Sequence, residues 1–203
     1  MRLLAIALAS GLAAFAPWGA GAASPPAPAE SAPKAPAELA PKTPAEMREE
    51  IYRRLAASSD ADETDGLVRL LFASYASTGS DTGDLLLERA HKAIAVRDFT
   101  AAGRILDAAI AFMPDRAETW NARATLRYLD DDSDGAMADI AQTLKREPRH
   151  IGALIGMASI LESRDKKSEA LAVCERALTI APHWTTAQDR IDRLKAEVAG
   201  QGL

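Results

Sequence analysis

The chain of 203 residues holds a single cysteine, Cys174, so no disulfide can form within one molecule, even in a compartment that would permit one. A catalytic thiol would need a base and an electropositive, partly open setting. Cys174 instead follows the apolar stretch Ala170-Leu171-Ala172-Val173, where a buried core thiol is expected. Aromatic residues are scarce at 5%, while alanine is abundant. That balance suits closely packed helices, because alanine loses little entropy in a helix and lets helix axes approach. Charged residues make up 26% and the net charge is −5, with no polybasic run, which argues against a nucleic-acid footprint. No His-Glu-x-x-His, Gly-x-Ser-x-Gly or phosphate-cradling glycine loop is present, and the 3 histidines show no metal spacing. The inventory therefore contains no catalytic constellation, no metal site and no cofactor site, and the chain is read as non-enzymatic.

Long hydrophobic runs are also missing. The apolar stretch from Leu3 to Phe15 falls short of the ~20 residues that span a bilayer. Met1-Arg2 precedes it as a short positive region, and Ala20-Gly21-Ala22 follows as an A-x-A cleavage site. These three parts make a secretory signal peptide over residues 1–22 and imply a periplasmic or secreted protein without stable membrane insertion after cleavage. An uncleaved signal anchor is the alternative. Residues 23–44 then carry Pro25, Pro26, Pro28, Pro33, Pro36, Pro41 and Pro44 among Ala, Glu and Lys. Prolines at that density prevent a helix, and the segment is expected to be an extended, disordered linker.

After Pro44 proline becomes rare, and its spacing becomes informative. Pro114, Pro148 and Pro182 are the remaining prolines, set 34 residues apart twice over. The same shift superposes Ala90, Ala124 and Ala158, then Ala102, Ala136 and Ala170. It also superposes Leu86, Trp120 and Leu154, and Ile110, Leu144 and Leu178. Small residues at two fixed places and a terminal proline have a common explanation in helical hairpins. The alanines of the first and second helix face each other, and a larger side chain at either place would cost ~1–3 kcal/mol by overpacking. The prolines cannot continue the second helix and set the turn into the next repeat.

On these columns, residues 83–184 resemble three consecutive tetratricopeptide repeats, at 83–116, 117–150 and 151–184. The second matches the family pattern best, with Trp120, Ala124, Ala136 and Pro148 in place. The glycine usual near the middle of the first helix is alanine in all three. The aromatic that usually opens the second helix survives only as Phe99. Residues 185–203 carry a C-terminal capping helix, with Ala187, Ile191, Leu194 and Val198 on one face. Residues 45–82 read as a degenerate helical hairpin, with Tyr52 in the Trp120 column and Ala56 in the Ala124 column, expected to pack on the first repeat. The fold class is thus all-α, a tetratricopeptide-repeat solenoid of helical hairpins. Residues 45–203 resemble the short exported repeat proteins of Gram-negative, especially α-proteobacterial, bacteria.

Asp130-Asp131-Asp132-Ser133-Asp134-Gly135 satisfies the opening of a calcium loop, but the twelfth position, where a bidentate Glu is required, is Ala141. The repeat places these residues in an interhelical turn, where carboxylates favour the start of the next helix. His150 and His183 follow terminal prolines and are expected to be solvated. The resemblance implies that first helices line a concave groove through positions two, five, nine and twelve of each repeat. Those positions are Asp84, Leu87, His91 and Ile94, then Glu118, Asn121, Thr125 and Tyr128, then Gly152, Ile155, Ser159 and Glu162. The candidate partner-binding residues are accordingly Leu87, His91, Ile94, Asn121, Thr125, Tyr128, Ile155, Ser159 and Glu162. Their mixture of apolar and hydrogen-bonding groups suits an extended peptide or a partner helix. The family's carboxylate clamp would use Lys, Arg and Asn there, and only Asn121 is present. The functional expectation is an exported protein-interaction module. A self-associating structural or assembly factor of an envelope complex is the alternative.

Overall fold

The computed structural model describes residues 43–200; the expected signal peptide, and the proline-rich segment as far as residue 42, lie outside the described residues. The described residues contain nine helices and no strand. They are α1 (Pro44–Ala57), α2 (Ala61–Ser74), α3 (Asp81–Ala95), α4 (Phe99–Phe112), α5 (Ala117–Leu129), α6 (Ser133–Arg146), α7 (Ile151–Ser163), α8 (Lys167–Ile180) and α9 (Thr185–Gly200). Helix starts are written in short polar residues whose side chains accept the otherwise orphaned first N–H groups. Thr43 and Glu46 form a reciprocal capping box around Pro44, the first residue of α1, where its missing N–H costs nothing. Asp60, Ser80, Asp98 and Asp132 cap α2, α3, α4 and α6, each side chain accepting one amide of the first turn.

The three repeats end their helices by two different rules. Helices α4, α6 and α8 stop at Phe112, Arg146 and Ile180, each two residues before its proline. Helices α3, α5 and α7 stop in a left-handed residue, at Arg97 (φ 60), Asp131 (φ 62) and Asp165 (φ 56). The next amide in each case reaches back five residues, from Asp98 to Ala93, Asp132 to Arg127 and Lys166 to Leu161. These are Schellman turns without the usual glycine. The 34-residue period is therefore carried by backbone conformation as well as by the conserved spacing of side-chain size.

Consecutive helices pack as hairpins, α3 with α4, α5 with α6 and α7 with α8, and each hairpin packs on the next. The paired alanines meet as their size requires. Ala90 and Ala102 share one buried cluster, Ala124 and Ala136 a second, and Ala158 and Ala170 a third. Cys174 sits fully buried in that third cluster beside Ile191 and Leu194 of α9. Burial pushes its thiol pKa up, away from reactivity. The all-α repeat solenoid expected from the sequence is the observed architecture.

One expectation is overturned. The N-terminal hairpin α1–α2 does not pack on the first repeat. Its apolar residues Tyr52, Leu55, Leu67, Val68, Leu71 and Tyr75 join Ile151 and Leu154 of α7, Ala177 of α8, and Ala181, Trp184 and Ala187 around the start of α9. Polar bonds fix the same placement. Tyr52 Oη donates to Arg149 O at 3.0 Å, and Arg149 pairs with Glu49 while its guanidinium lies 4.1 Å over the Tyr52 ring. Asp65 of α2 accepts from both the amide and the hydroxyl of Thr185, capping α9 across 120 residues of sequence. The physical reason is the side-chain size of the hairpin. Where the repeats pair alanines within their own hairpins, α1 and α2 present large residues, which pack on Ile151, Leu154, Ala177 and Trp184.

Candidate partner-binding groove

Helices α3, α5 and α7 lie side by side. Two adjoining hollows open along them, of about 190 and 170 Å³, sharing Asn121, Thr125 and Gly152. The first is lined by Leu87 and His91 of α3, by Asn121 and Thr125 of α5, and by Phe72, Tyr75 and Ala76 of the N-terminal hairpin. The second runs between α5 and α7, past Tyr128, Ile155, Gly156 and Ser159. Each lies below the ~300 Å³ at which small-molecule pockets begin.

The sequence-derived candidates divide into three groups. Leu87, His91, Asn121, Thr125, Tyr128, Ile155 and Ser159 do line the hollows. Leu87 is nevertheless a core residue, 1% exposed, and gives the groove only its base. Ile94 does not reach either hollow; it packs against the cluster built on Leu106 and Ala102. Glu162 is taken up by α9, where Arg190 and Arg193 hold its carboxylate, Arg190 Nε at 2.5 Å and Arg193 Nη2 at 2.9 Å. Burial pushes the Glu162 carboxyl up, but the two guanidinium groups outweigh it and leave the pKa below its ordinary value. Arg190 also donates to Ser159 Oγ at 3.0 Å, closing that end of the groove with the C-terminal helix.

Three further groove positions are occupied from within the chain. Glu118 forms a salt bridge with Arg48 of α1 at 2.9 Å, the two side chains only 5% and 10% exposed. Arg48 completes its set by donating to Ser74 O and Ser77 O. Asp84 accepts from the amide and hydroxyl of Thr78, both at 2.6 Å, and pins the loop leading from α2. Gly152 faces Phe72 so closely that an added Cβ would lie 3.2 Å from its ring. Sequence reasoning missed the wall made by Phe72, Tyr75 and Ala76. Aromatics at i and i+3 on a helix outside the strict repeat were the available sign, but their destination lies far along the chain.

His150 also departs from expectation. It is fully buried, with its ring stacked on Tyr75 at 3.8 Å and 12°. Its Nδ1 accepts the Ala153 amide at 3.0 Å and caps α7. Desolvation lowers its pKa to about 3, so it is neutral at ordinary pH. A histidine can cap a helix only through an unprotonated nitrogen, and the tyrosine face excludes water from the turn. Burial likewise pushes Tyr52 up to about 12 and Tyr75 higher still, keeping both hydroxyls protonated as donors. His183, by contrast, is exposed as expected. In the acidic turn, Asp132 caps α6 through the Gly135 amide and Asp134 pairs with Arg164, so these carboxylates serve the fold.

No family model matches the chain. A solved structure of a mutant of MamA is similar over 75% of this chain and 88% of its own, at 14% identity and a TM-score of 0.48. Among curated proteins, a TPR repeat-containing protein of Rhizobium etli is 38% identical over 152 residues, which is 75% of this chain and 74% of the relative. That identity extends over most of both chains. Taken with the 34-residue phase, the chain belongs to the tetratricopeptide-repeat proteins.

Proposed function

We propose that this chain is an exported protein-interaction module that holds a segment of a protein partner in the open part of the groove, from Asn121 to Ser159. The observation that carries the reading is the stretch between α5 and α7. There Tyr128 stands exposed and Ile155 half-exposed, beside Gly156. Thr125 and Ser159 donate their hydroxyl protons to Asn121 O and Ile155 O in their own helices. Thr125 keeps its lone pairs as acceptors for a partner's N–H groups, whereas Ser159 already accepts from Arg190. An apolar floor edged by acceptors is what an extended backbone or a polar-edged helix requires. Export is supported by the pattern of residues 1–22 and is tested by sequencing the mature N-terminus. A start near residue 23 is expected, and an intact Met1 on a chain retained in the cytoplasm would refute it.

The groove is tested with a photo-crosslinking residue placed at Tyr128 and, as the control, at Glu175 on the outer face of α8. Discrete adducts of one partner are expected from position 128 only. The same adducts from both positions would remove the groove from the function. Tyr128→Ala should lower recovery of that partner about tenfold or more, as loss of an aromatic anchor does.

A further inference from the structure

The N-terminal hairpin is a separable element. The clusters built on Leu106, on Ile140 and on Cys174 contain no residue of α1 or α2. Opening the hairpin would uncover the cluster around Trp184, including Ile151 and Leu154 of α7, and part Arg48 from Glu118, while those three clusters stay closed. Its connection to α3 passes through Gly79, at φ 80, a conformation suited to a hinge because glycine adopts it without strain. The hairpin also walls the groove through Phe72 and Tyr75, so its position sets the groove's extent.

One titratable side chain, His150, lies fully buried at the joint between hairpin and solenoid. His150 Nδ1 is committed as acceptor to the Ala153 amide, so its proton resides on Nε2. That Nε2 is buried and has no hydrogen-bond partner among the described residues. A second proton would therefore abolish the cap and leave a cation against Tyr75 with no anion to receive it. The surroundings offer no relief. From α1, the facing charge is Arg48, already matched by Glu118 of α5, and Tyr52, whose hydroxyl is given to Arg149 O. From α2, Tyr75 is stacked on the ring and bonded to Tyr52 at 3.1 Å. In the turn before His150, Glu147 and Arg149 pair with each other at 3.6 Å. From α8, the turn after it and α9, the cluster contributes Ala177, Ala181, Trp184 and Ala187.

We infer that the α1–α2 hairpin is an acid-released strap, held shut over the end of the groove by neutral His150 and opened when that imidazole takes up a second proton. The sign follows from linkage. A histidine exposed by opening has the ordinary pKa of 6.5, against about 3 when buried. The open form thus binds more protons wherever the pH lies between these values. Closure is fully favoured above pH 6.5 and loses about tenfold per pH unit below it. Between pH 7 and pH 5 the equilibrium constant for opening should rise roughly 25-fold. Carboxylates with ordinary values begin to titrate only below that window. His91, whose pKa burial also lowers, lines the same hollow as Phe72, Tyr75 and Ala76, so the His150 variants are what separate its response from that of His150.

The test is hydrogen exchange of the full chain, resolved by peptide and corrected for intrinsic rates, from pH 7 to pH 5. The α1–α2 amides should lose protection by roughly 25-fold while those of α4, α6 and α8 hold theirs. His150→Asn keeps a capping acceptor that cannot titrate and should flatten the response; His150→Ser serves the same purpose should the asparagine variant not fold. An unchanged hairpin between pH 7 and pH 5 would overturn the strap. So would parallel loss of protection in all helices, or an equal pH slope in the variants. None of these readouts depends on whether the groove binds a partner.

Discussion

The N-terminal hairpin and the repeats are the same motif built by opposite means. Each repeat joins its helices through a pair of alanines and passes its apolar face to the next hairpin in sequence. The N-terminal hairpin has helices of similar length, but attaches through tyrosines, leucines, a buried arginine and a capping aspartate to residues about a hundred positions away. Size matching gives the repeats a joint that any neighbouring repeat of the same spacing could satisfy, and their polar bonds, such as Asp139 with Arg123 and Arg127, stay between adjacent helices. The polar joint has a unique address, because Arg48 without Glu118, or Tyr52 without Arg149 O, would leave a buried group unpaired. Repetition yields extension, whereas the buried polar set yields closure.

The sharpest way to break this contrast is to remove one side of the buried ion pair. Glu118→Ala should destabilise the protein by about 3–5 kcal/mol in urea denaturation, because Arg48 is left charged and buried. The double change Arg48→Met with Glu118→Leu should recover most of that loss. A small effect of the single change would mean that water reaches Arg48 and that the joint is looser than its geometry. Next in size is the repeat side of the comparison. Ala136→Leu should cost about 1–3 kcal/mol by forcing α5 and α6 apart, with no special effect on exchange in α1 and α2. Equal disturbance of the hairpin would show that its attachment depends on the internal packing of the second repeat. The smallest expected effect is a gain. Arg97 occupies a left-handed turn that glycine adopts freely, so Arg97→Gly should raise stability by about 0.5–1 kcal/mol. The arginine lies 5.3 Å over the Phe99 ring, and a loss of stability in the variant would mean that this contact outweighs the backbone strain.

Much of the groove was legible because repeats translate position into direction. Asn121, Thr125, Tyr128, Ile155 and Ser159 reach the hollows expected of their columns, since the first helices are held in parallel register by the alanine pairs. Ile94 lies outside both hollows, Glu118 lines the first but is occupied, and Glu162 is drawn to α9, each for its own reason. Ile94 finds a drier place in the core of its own hairpin. Glu118 and Glu162 meet arginines from α1 and α9, elements outside the repeat whose approach no repeat column encodes. His150 failed in the same way, its solvated turn being covered by Tyr75.

The sequence by itself determined the all-α class, the phase of the helices and the contacts between neighbouring hairpins. Those depend on spacing, on side-chain size and on residues that cap or break helices, all of which act over a few tens of positions. Only the tertiary structure decided where the N-terminal hairpin docks, which groove residues remain open and which histidine is buried. Those outcomes rest on pairings across 97 and 120 residues, such as Tyr52 with Arg149 and Asp65 with Thr185. Side chains so far apart meet only once the intervening solenoid has set its curvature, and no local pattern records that distance.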